Sequence, residues 1–270
     1  MSGFLITRTN VESICNYYET MHFPVFVPPL LAAAMCLVCA LAGGNYPQLF
    51  FQEWQPATLY NAVQLFLCSL VAVAIAKTVA ARKVPSVAAT VLWSIVGGFC
   101  AYIGFDELFQ FHESTAPLAQ ALRDFLGQPG NRPVIAGFEL PSYSFLIEGS
   151  YAVFAAGVAI VFRRNLLLQP TARCLIALSV LFLCGSQIVD VVLLQGPSTY
   201  LSSLAGDLVV SDGLLSALSQ SLKVAGFATV LAALLETLLA KKQILSVESM
   251  LSEFSTEEPV RVIPSAKSLV

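Results

Sequence analysis

Charge is what this sequence lacks most. Only 11% of its 270 residues are Asp, Glu, Lys or Arg, whereas an ordinary soluble domain carries about 25%. With 57% hydrophobic residues and a mean hydropathy of +0.76, a water-facing surface cannot be built, and lipid is the expected solvent. Histidine is nearly missing: His22 and His112 are the two in the chain. That excludes a three-His zinc site or a bis-His haem within one chain, and the pair of Glu-x-x-His motifs that a di-iron bundle needs is absent. The segment ahead of the first apolar run also lacks a basic cluster, holding Glu12, Glu19 and a single Arg8. A cleaved signal peptide is therefore not expected. Ala40-Leu41-Ala42 resembles a cleavage site, but an uncleaved first span is the reading adopted.

What the chain has is long uncharged runs. Crossing a hydrocarbon core takes about 20 apolar residues in a helix, and only helices or closed barrels satisfy their backbone groups in lipid. These runs are too long for barrel strands. The expected fold is all-α: a polytopic bundle of six transmembrane helices at about 25–43, 58–77, 85–106, 142–163, 172–194 and 213–240. A segment 1–24 precedes a six-helix domain over 25–242, and a tail over 243–270 is amphipathic, then disordered. Pro28 and Pro29 are expected to open span one, Pro85 span three and Pro141 span four, with Ser211 and Asp212 capping span six. The seven cysteines, Cys36-x-x-Cys39 included, read as small apolar packing residues rather than a redox or zinc site.

Basic residues set the orientation. Lys77, Arg82, Lys83, Arg163, Arg164, Arg173, Lys241, Lys242, Arg8, Arg261 and Lys267 put eleven of the fourteen on one side. By the positive-inside rule both termini are cytoplasmic. The outer connections instead carry Glu53, Glu113, Asp124, Glu139, Asp207 and Asp212. Tyr46, Phe50, Phe51 and Trp54 suit an interfacial belt there, and residues 115–126 suit a short surface helix.

Ionisable residues inside spans are costly and mark a function or a pair. At 1.5 Å per residue, Glu148 lies about 22 Å from Arg163, Asp190 about 26 Å from Arg173, Lys223 about 27 Å from Lys241 and Asp106 about 35 Å from Lys83. Asn61 and Gln64 enter span two at the same outer level. Helical spacing gathers Tyr102, Asp106 and Gln110 with Glu113; Ser144, Glu148 and Tyr151; Gln187 and Asp190; and Ser216, Gln220 and Lys223. Two readings of Lys223 and its acids stay open, an outward-facing polar pocket and a structural salt bridge. Asn61, Gln64 and Gln187, taken singly, read as hydrogen-bonding glue between helices. Glu236 reads as a side chain that reaches the inner interface.

The densest run of chemistry-capable groups is Asp106-Glu107-Leu108-Phe109-Gln110-Phe111-His112-Glu113. It resembles the D-E-x-x-x-x-H-E string at the end of a span in uncharacterised bacterial multi-pass membrane proteins, a resemblance that implies no activity. Glu107, His112 and Glu113 are the candidate metal ligands, since carboxylate and imidazole suit zinc, iron or manganese. His112 lies about 120° from the Asp106 face, and a solvated helix end is the reading preferred for Glu107 and His112.

The function expected is a membrane protein whose outward-facing acidic pocket around Lys223 binds or moves a small polar ligand, ion or proton. Its residues would be Asp106, Gln110, Glu148, Tyr151, Gln187, Asp190, Gln220 and Lys223. One alternative is an accessory or structural subunit of a larger membrane complex; another is a metal-dependent enzyme with a carboxylate-rich outer site. A retinal Schiff base on Lys223 is set aside, because six spans are found and Lys223 lies near the outer end of its helix. The sequence assigns no cofactor. The partners expected are the bilayer and other membrane subunits or a second copy, not nucleic acid, and the location expected is a bacterial inner membrane.

Overall fold

The computed structural model describes residues 23–43, 56–82, 84–109, 134–135, 138–139, 143–162, 169–189 and 212–256. Within them lie six helices: α1 (Phe23–Gly43), α2 (Pro56–Ala80), α3 (Val87–Phe109), α4 (Tyr143–Val161), α5 (Pro170–Ile188) and α6 (Asp212–Thr256). Between α3 and α4, two-residue strands β1 (Val134–Ile135) and β2 (Phe138–Glu139) pair antiparallel, with Val134 opposite Glu139. The protein is helical. Four segments are long and apolar enough to cross a membrane: α2, α3, α5 and Ala217–Ser249 of α6. Val25–Cys39 of α1 and Gly149–Val161 of α4 are shorter apolar stretches.

Several boundaries differ from expectation. Pro28 and Pro29 fall inside α1 instead of opening it. The cap of α3 is Ser86, not Pro85: its Oγ accepts the Ala89 N–H at 3.2 Å, satisfying a donor that the first turn leaves open. Pro170 starts α5, where its missing N–H costs nothing. The expected span six and the tail helix are one helix, because nothing between Phe227 and Thr256 is Gly or Pro. At 1.5 Å per residue α6 is about 68 Å long, over twice the thickness of a hydrocarbon core. The expected aromatic belt at Tyr46–Trp54, the surface helix at 115–126 and residues 190–194 of span five lie outside the described residues.

Small residues set the packing. A Cβ on Gly104 would stand 3.2 Å from the Phe66 ring and 3.3 Å from Leu65 Cβ; one on Gly97 would stand 3.3 Å from the Ser69 carbonyl oxygen. These contacts make α2 and α3 an antiparallel pair whose backbones approach closely where side chains are absent. Similarly, α5 lies against α6 through Gly226 on Leu183 and Gly185 on Leu222. Two apolar clusters run along α6. Ala57 of α2 packs with Ala217, Val224 and Ala228 and with Ala32 and Cys39 of α1. Further along, Cys68, Ala72, Ile75 and Val79 pack with Leu92, Trp93, Leu231 and Leu234. The order shows that α2 and α6 run the same way.

At the end of that seam Arg82 is paired with Glu248. The guanidinium Nε lies 3.1 Å from Oε1 and 3.4 Å from Oε2, and Nη2 also bonds Oε1. This hydrogen bond to Glu248 raises the Arg82 pKa above its ordinary value. Both side chains are about one-third exposed, so the pair contributes at most about 1 kcal/mol. Glu248→Arg should lower the melting temperature slightly and Arg82→Glu in the same chain should restore it. Equal melting of all three proteins would show that the pair contributes nothing to stability.

Candidate functional site

Asp106 sits in the last turn of α3 and is 2% exposed. A carboxylate removed from water requires donors or a counter-charge. Tyr151 of α4 supplies one donor, its hydroxyl lying 3.0 Å from Asp106 Oδ2. The Tyr102 hydroxyl, one turn earlier on α3, lies 3.4 Å from that of Tyr151. The chain of polar atoms thus runs from Tyr102, which is 49% exposed, through half-buried Tyr151 to the buried carboxylate.

Aromatic packing holds this geometry. The Tyr102 and Tyr151 rings meet edge to face at 5.7 Å, and Phe99 meets Tyr151 at 6.2 Å and Phe154 at 4.8 Å. Such pairs add about 0.5–1.5 kcal/mol each beyond burial. They fix the rotation of α4 against α3, which fixes where the Tyr151 hydroxyl points. Phenol and carboxylate together make a group that can exchange a proton or take a small cation or polar ligand.

Of the expected residues, Asp106 and Tyr151 are brought into contact. Lys223 and Gln220 are half-buried on α6 and Gln187 half-buried on α5; Asp106, Gln187 and Lys223 each have a further interaction partner. Glu148 belongs to α4 by its backbone, but its side chain, with Gln110, His112, Glu113 and Asp190, lies outside the described residues. Glu107 is half-buried and engaged. Among the described residues no group of three His, Cys, Asp or Glu could hold a metal ion.

Sequence reasoning missed three features. Ser186 of α5 and Ser219 of α6, both fully buried, face each other with hydroxyls 2.9 Å apart; each is one residue from the glutamine expected there. Small size is the signal, since only short side chains let the two helices approach so closely. Glu236 is 6% exposed and has a partner, so it is packed within the bundle instead of extending away from it. Asn61 and Gln64 are 0% and 2% exposed, and among the described residues none of their four side-chain N and O atoms has a hydrogen-bond partner. Tyr60 stands beside Gln64, but outside hydrogen-bonding geometry with the carboxamide. Among the described residues no neighbouring helix receives a hydrogen bond from either carboxamide, so the glue reading of these two residues finds no support there.

The fold and site define a helical protein with four membrane-length helices and a buried carboxylate–phenol pair. The chain belongs to the family described as Domain of unknown function (DUF8692), whose model matches residues 31–237. That range includes Asp106, Tyr151 and Lys223 and stops 19 residues before the end of α6. No curated protein and no solved structure matches the chain.

Proposed function

We propose that the protein is a multi-pass cell-membrane protein whose six helices all span the bilayer, and that it binds or moves a small polar ligand, ion or proton from the outer side. The observation that carries this reading is Asp106: a carboxylate buried at the end of an apolar helix, held by the Tyr151 hydroxyl at 3.0 Å. Burial of an ionisable group in a span is expensive and is retained where the charge is used. Both termini are cytoplasmic, which places Asp106, Tyr151 and Lys223 in the outer half and the Arg82–Glu248 pair at the inner surface.

Reconstitution tests the activity. Vesicles containing the full chain should dissipate an imposed proton or alkali-cation gradient faster than vesicles without protein. Asp106→Asn should reduce that rate at least tenfold and Tyr151→Phe severalfold, because the former removes the charge and the latter one donor. Rates equal to those of protein-free vesicles across protons, alkali cations and small polar solutes would defeat the reading.

Sidedness is tested separately. Cysteines placed at Glu53, Glu139 and Asp207 should react with an impermeant maleimide from outside intact cells, and cysteines at Arg164 and Ser255 should not. Labelling at Arg164 from outside would invert the orientation and put Asp106 near the cytoplasm.

A further inference from the structure

We propose that Cys68 and Cys100 form a dithiol that peroxide oxidises to a disulfide between α2 and α3, with Cys100 the thiol attacked first. Composition suggests a packing role for all seven cysteines, but the structure sets these two apart. They are free thiols on different helices, and their side chains are hydrogen-bonding neighbours.

Two close approaches of α2 and α3 bracket the pair. A Cβ on Gly97 would stand 3.6 Å from Ala72 Cβ, and one on Gly104 would stand 3.3 Å from Leu65 Cβ. Each cysteine is three residues from one of these contacts and four from the other, a spacing that keeps it on the contacting face. The Cβ atoms of a disulfide are about 3.5–4.5 Å apart, so the seam holds the two helices at the separation the bond requires. No cavity is needed, because the product has two hydrogens fewer than the dithiol.

Burial decides the order of events and the oxidant. Cys68 is 0% exposed and Cys100 8%, so only Cys100 has to meet the oxidant, and Cys68 resolves what forms there. A resolving thiol beside the attacked one is the arrangement of redox-sensitive cysteines. Cys68 is the middle residue of α2, a helix long and apolar enough to cross a membrane, and about 18 Å of helix separates it from either end. In a bilayer that depth keeps out charged oxidants and hydrophilic disulfides, whereas hydrogen peroxide is small and uncharged. Peroxide passes one oxygen to Cys100 Sγ, leaving a sulfenic acid and one water. The Cys68 sulfur then displaces the hydroxyl: an S–S bond forms, the S–O bond breaks, and the hydroxyl leaves with the Cys68 proton as a second water. The inference concerns these two sulfur atoms alone and does not rest on the transport reading.

Peroxide treatment of the full chain in proteoliposomes tests it, followed by alkylation of the remaining thiols and mass spectrometry of the digest. The wild type should yield a peptide linked through Cys68 and Cys100, which a reductant should separate again. Exposed Cys174 and Cys184 show that the peroxide has acted. Their oxidation without the Cys68–Cys100 linkage overturns the proposal, and so does linkage of Cys68 or Cys100 mainly to another cysteine. This readout needs no variant, so it stands even where a substitution disturbs folding. Two variants then test the order. Cys68→Ser should leave Cys100 as a sulfenic acid that dimedone captures, and Cys100→Ser should leave Cys68 an unreacted thiol. Capture of Cys68 in the second variant and not of Cys100 in the first would overturn the assignment of Cys100 as the attacked thiol.

Discussion

Gly226→Ala is expected to destabilise the protein by about 1–3 kcal/mol, and Gly226→Leu to abolish the docking of α5 on α6. A Cβ at Gly226 would stand 2.7 Å from both Cγ and Cδ2 of Leu183, with the Leu183 backbone nitrogen at 3.6 Å. Contact with two atoms of one branch point cannot be relieved by turning a terminal methyl; Leu183 must leave its place. Once it moves, the Ser186–Ser219 hydroxyl pair at 2.9 Å loses its alignment as well. Gly98 and Gly157 supply the controls, as a Cβ at either has nothing within 4 Å. Gly98→Ala and Gly157→Ala should be neutral or gain up to about 1 kcal/mol, since alanine stiffens the unfolded chain and favours helix. Detergent melting curves of the four proteins decide the matter. A Gly226→Ala protein that melts with its two controls would mean that α5 and α6 are further apart than described.

Lys223→Met is expected to destabilise the protein by about 3–5 kcal/mol and to be rescued by neutralising one acid. Lys223 is half-buried on α6 and has an interaction partner. By residue count along the sequence Lys223, Glu148 and Asp190 are expected at similar depths, about 22–27 Å from Lys241, Arg163 and Arg173 respectively. Removing the ammonium strands a carboxylate in low dielectric, and removing both restores neutrality. Melting of Lys223→Met with Glu148→Gln or with Asp190→Asn measures the coupling. Purely additive losses with both acids would show that neither is the partner. A rescued double variant that no longer dissipates a gradient would assign the pair to function; one that retains activity would make it scaffolding.

The helices are legible because their apolar runs are long and nearly uncharged, and helical spacing puts Asp106 and Tyr151 on the polar stripes of their spans, although a residue count from Lys83 and Arg163 does not bring the two to one depth. Chemistry at the level of single atoms was less legible. Ser186 and Ser219 are inconspicuous in apolar helices, and the glutamines beside them drew the reading one residue off face. Asn61 and Gln64 were read as glue because buried carboxamides usually find protein partners. Whether a partner exists depends on neighbours that spacing along one helix cannot report. The far end of α6 is readable in principle, since its last thirty residues contain no glycine or proline, but the change there from an apolar to an amphipathic pattern reads as the end of a span.

That uninterrupted α6 has a mechanical consequence. Lys223 near one end and Glu248 towards the other are fixed to the same rod. A tilt of about 5° about the middle of the helix carries Glu248, about 21 Å from that middle, by about 2 Å, enough to break a hydrogen bond. A charge change beside Lys223 that tips α6 would thus work directly on the Arg82 contact, without any chain of intermediate side chains. Conversely, whatever grips the Glu248 end of α6 gains leverage over the layer around Lys223.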